Sequence, residues 1–312
     1  MNPDLTNKLK QHATSLGFFA CGISKAEPMI QESGRLRDWV AEGLHGDMHY
    51  LASNPDKRAD PRQVLENARS VISLLYNYYP GHTLPEQNNL CIARFAYGKD
   101  YHALIKEKLN DLITTMKKWI PETKAIGFAD AAPVMEKALA QRAGLGWIGK
   151  NMLLIHPDRG SYFFIGEIIT TLELSYDQPQ TDHCGSCRRC LDACPTGALT
   201  GPYRLDARKC IAYLTDTYKG ELPDGLRSSF HSRIYGCDAC QEVCPYNRFA
   251  VPHNDPDLLP SQKLKEMNRD RWENLTEGEF QELFEHSAIK RISYPIFRRN
   301  IDFVTGKNQA VC

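Results

Sequence analysis

Near the start of the chain, Leu5, Leu9 and Leu16 fall on one helical stripe, and Gly17 follows as a natural helix-ending residue. The apolar run Phe18–Ser24 predicts a strand, and residues 34–43 a helix. Ser70–Tyr79 is rich in β-branched and aromatic residues and reads as a long strand; Cys91–Tyr97 reads as another. Ile105, Leu109, Leu112, Met116 and Trp119 then recur at helical spacing, with lysines and acids on the opposite face. Lys124–Ala129 predicts a strand, Pro133–Ala143 a helix, and Met152–His156 and Tyr162–Leu172 two more strands. Alternating elements of this kind favour a layered α/β or α+β domain over residues 1–175.

Beyond residue 175 the periodicity fades. Residues 176–250 are rich in cysteine, glycine and arginine, as expected of a small domain organised around ligands. From Val251 a polar stretch with Asn254, Pro256 and Pro260 reads as a linker. Short amphipathic helices follow it, with Phe280, Leu283 and Phe284 on one side, so 251–312 reads as a helical tail. A chain of 312 residues, 42% hydrophobic and 24% charged, has enough apolar surface for about two buried cores. With 38 basic and 38 acidic residues, it is not a protein that coats nucleic acid by overall charge; any such contact must come from a local patch. The sequence contains no apolar run of membrane-spanning length, no basic-then-apolar leader and no twin-arginine signal, so a cytoplasmic protein is expected.

Cysteine changes the picture. Eight of the eleven cysteines fall between residues 184 and 244, which in a reducing compartment points to metal and away from disulfides. The run Cys184-x2-Cys187-x2-Cys190-x3-Cys194-Pro195 has the bacterial ferredoxin spacing, in which the fourth cysteine serves the other cluster. Its partner, Cys237-x2-Cys240-x3-Cys244-Pro245, has Ile234 where repetition calls for a cysteine, and Cys210 is the spare thiol that fills the vacancy. Cys184, Cys187, Cys190 and Cys244 then hold one [4Fe–4S] cluster. Cys194, Cys210, Cys237 and Cys240 hold the other, in a ferredoxin-like domain. Two structural zinc sites are the plainer alternative, but zinc has no need of so tight a run. Cys21, Cys91 and Cys312 read as isolated thiols.

Other motifs are weaker. Gly144-Leu-Gly146-Trp-Ile-Gly149 matches a dinucleotide fingerprint, and Gly144 to Lys150 nearly matches a phosphate loop. Both sit between a helix and a strand, the reverse of what those motifs need, so close backbone approach in a turn is the simpler reading. Asp47-x-His49 resembles a cobalt-ligand motif on an amphipathic helix, but His49 reads better as a surface or packed histidine. Asp130 ends a strand, either as a turn or cap residue or as an acid at the strand end where α/β sheets place ligands. The polar run Arg94–His102 is a solvated loop or a recognition segment.

Taken together, Arg58–Pro61, Arg94–His102, Asp130–Pro133, Ala143–Asn151, Cys210–Thr215 and Arg233–Pro245 closely resemble the epoxyqueuosine reductase family, which completes the modified tRNA base queuosine. The resemblance runs over nearly the whole chain. It implies a cobalamin bound base-off and without a histidine ligand in the α/β domain, beside the two [4Fe–4S] clusters. Co(I) would attack the epoxide or pass an electron to it. It implies Asp130 as the acid that protonates the departing oxygen, kept protonated by burial. Arg58, Arg94, Asp130 itself, Lys150, Asn151, Ala212, Tyr213 and Asp238 are the implied cobalamin contacts. The implied partners are a tRNA with a GUN anticodon carrying epoxyqueuosine and a low-potential electron donor, acting on a monomer. The chain departs from the family in having Asp216 and Thr217 where relatives often place Glu, and in stopping before a C-terminal helical-repeat domain. RNA contact would then fall to Lys290, Arg291, Arg298 and Arg299, with Arg188, Arg189, Arg204 and Arg208. A cobalamin-dependent reductive dehalogenase and a simple ferredoxin-type carrier are the rival readings.

Overall fold

The computed structural model describes residues 3–84, 89–130 and 132–307; Cys312 lies outside them. A four-stranded sheet forms the first layer, built from β1 (Ala20–Lys25), β2 (Ser70–Asn77), β4 (Ala125–Phe128) and β7 (Phe163–Thr170). Its order is β1-β2-β7-β4, and every neighbouring pair is antiparallel. The sheet is therefore of the α+β kind. The rule that ligands gather at the carboxyl ends of parallel strands does not explain Asp130, because an antiparallel sheet has strand ends of both senses at each edge.

Helices cover both faces. On one, Pro3–Ser15 and Tyr101–Trp119 bury Leu9, Ile105, Leu109, Leu112 and Met116 against Ile72, Leu74 and Ile168. On the other, Glu136–Arg142 buries Ala138, Leu139 and Ala140 against Val71, Leu75 and Ile169. Alternate residues of β2 point into the two cores, which is why its sequence is apolar almost throughout.

The segment read as a strand over Cys91–Tyr97 pairs only as β3 (Cys91–Ile92); at Arg94–Ala96 it winds into a 3-10 turn. β5 (Trp147–Ile148) and β6 (Leu154–Ile155) form a small hairpin around the glycine-rich segment. The close approach made by Gly146 is to its own chain: a Cβ there would meet the Ile155 carbonyl oxygen at 2.2 Å. The Asp47–Ala52 stretch is not an amphipathic helix. It holds a single 3-10 turn, His49–Leu51, and His49 is exposed beside the His45 ring.

Residues 251–307 pack more deeply than a tail. Trp272, Phe280, Phe284, Phe297 and Ile301 form a core with Leu90, Ile92, Ile234 and Tyr235. The strand Arg233–Tyr235 pairs with β3, and the C-terminal helix Tyr294–Thr305 lies over it. Within that helix the fully buried Asn300 amide donates to the carbonyl oxygens of Thr215 and Ile234, at 2.8 and 3.0 Å. The chain end thereby fastens the helix that follows Cys210 to the strand that precedes Cys237.

Candidate functional site

The eight clustered cysteines ring two cavities. Cys184, Cys187, Cys190 and Cys244 line an outer one of about 240 Å³. Cys194, Cys210, Cys237 and Cys240 line an inner one of about 420 Å³, which also receives residues of the sheet layer. Asn151 borders both cavities. Among the described residues no three Cys, His, Asp or Glu side chains form a single-ion site. Burial pushes the Cys237 thiol up to about 12 and raises Cys210 and Cys240 as well. Thiolates at this depth need a bound cationic cluster to exist at neutral pH. On the outer ring, the buried Trp147 indole donates to Cys184 Sγ at 3.4 Å.

The inner cavity carries acid–base groups opposite its sulfurs. Asp130 follows β4 with a left-handed φ of 61°, a conformation Asp tolerates better than most residues. Its Oδ2 accepts the Tyr101 hydroxyl at 2.9 Å and lies 3.0 Å from His102 Nε2. Those two residues begin the helix Tyr101–Trp119, whose N-cap is Asp100. Asp100 Oδ1 accepts the His102 backbone N–H at 3.0 Å and sits 2.6 Å from His102 Nδ1, so one carboxylate caps the helix and orients the ring. Tyr101 is held flat against Phe164, ring centres 4.0 Å apart.

The electrostatics correct the expected state of Asp130. The His102 hydrogen bond, aided by Tyr101, outweighs burial and holds the Asp130 carboxyl below the usual carboxylate range. Burial opposes charge on His102, but its bonds to Asp100 and Asp130 overcome that and raise it to about 9. The proton therefore rests on the imidazole. Three further carboxyls line the same cavity: Glu136, Asp216 and Asp238. Burial and the nearby Asp130 charge lift Glu136 to about 7. Asp216, raised mainly by burial, accepts the Tyr235 hydroxyl at 2.8 Å.

The other residues singled out in the sequence divide between the cavity and its supports. Asn151, Ala212 and Asp238 line the inner cavity. Arg58 does not reach it: the guanidinium is buried and donates to the carbonyl oxygens of Tyr50 and Ala132, bracing the Asp130 loop from behind. Arg94 also lies outside the cavity lining and donates to Asp238 and Glu242 at 3.0 and 2.8 Å. Burial raises the Asp238 carboxyl against the pull of that guanidinium. Lys150 belongs to the outer ring, where it donates to the Gly185 and Cys187 carbonyl oxygens. Tyr213 turns away, its hydroxyl accepting the Asp47 backbone N–H at 2.7 Å.

Most of the cations considered for RNA are occupied. Arg298 pairs with Asp302, Arg208 with Asp206, Arg204 with Glu42 and Arg188 with Asp192, and Arg299 donates to backbone carbonyls of Leu214 and Tyr218. Lys290 and Arg291 line a surface groove beside the inner cavity, where Arg291 also pairs with Asp100 at 3.7 Å. Sequence reasoning did not single out Tyr101, His102 or Glu136 individually. The available signal was an Asp-x-His pair at the start of a strongly amphipathic helix.

Comparison with known proteins adds the following. Residues 58–131 match the family model described as "Epoxyqueuosine reductase QueG, DUF1730", and residues 183–247 match the "4Fe-4S double cluster binding domain". An epoxyqueuosine reductase of Cyclobacterium marinum is 45% identical over 98% of this chain and 97% of its own. The structure of an epoxyqueuosine reductase with a tRNA-Tyr epoxyqueuosine-modified stem loop superposes with a TM-score of 0.89 at 32% identity, covering 96% of this chain and 80% of that one. A Bacillus subtilis epoxyqueuosine reductase, with its catalytic aspartate loop swung out of the active site, gives 0.88 at 31% identity, covering 96% and 81%. Among the described residues no helix is long and apolar enough to cross a membrane.

Proposed function

The chain belongs to the family of epoxyqueuosine reductases, and from that premise we propose how its residues divide the work of removing an epoxide oxygen from a tRNA base. The reaction takes up two electrons and two protons, releases water and leaves a carbon–carbon double bond. Two [4Fe–4S] clusters and a corrinoid, when bound, supply the low-potential electrons and the cobalt nucleophile. The inner cavity suits a flat corrinoid: Phe163, Phe164, Ile211 and Ala212 give it apolar walls, Asn151 and Lys137 offer polar contacts, and no histidine is among its lining residues.

In this reading Asp130 delivers the proton and His102 stores it. The imidazolium, oriented by Asp100, protonates Asp130 as negative charge develops on the epoxide oxygen, and Asp130 passes that proton on. Glu136, poised near neutrality in the same cavity, is the source of the second proton. Tyr101 keeps the Asp130 carboxylate turned toward the substrate. Lys290 and Arg291 meet the RNA backbone beside the cavity. All these groups come from one chain, so a monomer suffices, and a tRNA substrate implies a cytoplasmic location.

The observation that carries this reading is that Asp130, hydrogen-bonded to His102 behind it, lines one cavity with four cysteines. A plain electron carrier would need no such acid. The test is anaerobic turnover of epoxyqueuosine-containing tRNA by reconstituted protein, followed by the appearance of queuosine. Wild-type protein converts it. Asp130→Asn, with iron and corrinoid contents unchanged, is expected to lose most of the rate, and full activity in that variant would remove Asp130 from its role.

A further inference from the structure

The two sulfur rings stand in different surroundings, and the inference drawn from that contrast rests on the electron-consuming reading above. The inner ring shares its cavity with Asp130, Glu136 and Asp216. The outer ring shares its cavity with Lys150, Arg189, Arg248 and Phe249; among the described residues no carboxylate lines it, although Asp182 at its edge accepts the Cys184 backbone N–H at 2.7 Å. Substrate chemistry thus has its acids on one side only. The outer ring is the one that opens beside exposed side chains.

We propose that the mouth of the outer ring is the docking surface for a small, acidic, one-electron carrier protein, with Arg189, Arg248 and Phe249 as its contacts. Arg189 and Arg248 are exposed and also line the adjoining groove, so their charge spans the rim between the two depressions. The acids of that groove are already engaged: Asp192 pairs with Arg188, and Glu242 with Arg94. Among the described residues neither Arg189 nor Arg248 has an ion-pair partner, which leaves the rim with surplus positive charge. At its centre Phe249 is 42% exposed with the Arg248 guanidinium 4.5 Å from its ring centre, and Val251 nearby is 48% exposed. An apolar contact inside a cationic rim is the pattern that recognises a protein with an acidic rim of its own. The whole chain is electrically neutral, so steering of such a partner depends on this local surplus. A nucleic-acid backbone fits less well, because only two unpaired arginines would be there to hold it.

Electron balance sets the number of encounters. Each docking event oxidises the carrier by one electron and reduces the outer ring's cluster by one. Two events supply the two electrons consumed per epoxide.

The experiment uses reconstituted full-length protein and a plant-type ferredoxin as the acidic probe. Stopped-flow reduction by the reduced probe is expected to slow about tenfold or more in Arg248→Glu at low ionic strength, and its salt dependence to flatten. The Kd for the oxidised probe, which needs no turnover, is expected to rise by a similar factor, and Arg248→Lys to restore both. Reduction by dithionite, too small to need docking, and the visible cluster band are expected to stay unchanged. Wild-type rates with the probe in Arg248→Glu would overturn the proposal, as would an equal slowing with dithionite. Loss of tRNA stem-loop affinity with probe affinity intact would also overturn it, assigning the surface to RNA. Failure of dithionite-driven wild-type protein to convert epoxyqueuosine would instead defeat the functional reading, while leaving the probe affinities to judge the surface.

Discussion

The two rings of cysteine use one kind of ligand at nearly the same spacing, yet they are built into the molecule differently. The outer ring comes from two local runs and sits beneath cations and an exposed aromatic. The inner ring needs Cys210, brought in from a separate helix start, and faces a cavity of acids and apolar walls borrowed from the sheet domain. Equivalent sulfur frames thus acquire different duties from their surroundings. Medium and neighbouring charge decide what a cluster can exchange electrons with, and whether protons are at hand when it does.

The strongest way to break this contrast is to remove one inner ligand. Cys194→Ser is expected to reduce iron content by about four atoms per chain and abolish turnover, while the outer cluster's EPR signal survives. Retained turnover with half the iron would mean that the inner ring is not required. Next comes Asp130→Asn, for which single-turnover rates should fall about 10²- to 10⁴-fold with both clusters intact.

His102 sharpens the acid side. Its partners raise it from an ordinary value of 6.5 to about 9. The charged form therefore stabilises the fold fully below about pH 6.5, and that contribution is lost as pH rises through about 9. The rate should fall over the same alkaline limb. His102→Gln is expected to remove that limb from the pH profile and slow turnover roughly tenfold; an unaltered limb would assign it to another group.

A smaller effect is expected on the outer ring. Trp147→Phe deletes the N–H···S bond to Cys184 and should lower one cluster potential by an amount on the order of tens of millivolts, measured by redox titration. Smallest is Arg291→Gln, which should weaken tRNA stem-loop binding a few-fold and reduce the salt slope by about one.

How much of this was legible in the sequence depends on how local each feature is. The two sulfur sets follow from spacing within short runs, because a cluster's geometry constrains residues two and three apart. Strand direction does not follow, since alternation along Ser70–Asn77 or Phe163–Thr170 is the same whichever way the neighbouring strand runs. Asp130 stood out, but the groups that set its charge come from Tyr101 and His102, 29 and 28 residues earlier in the chain. Arginines cannot be sorted by sequence either. Arg58 and Arg94 look like ligand contacts until their hydrogen bonds show them bracing a loop and a buried aspartate.

Asn300 carries a consequence for how the protein is made. Because its amide joins the flanks of Cys210 and Cys237, the frame of the inner ring is closed only once the helix that carries Asn300 has packed. Metal loading of that ring belongs after this helix has docked, and a product cut short before Asn300 would lack the tie between its two flanks.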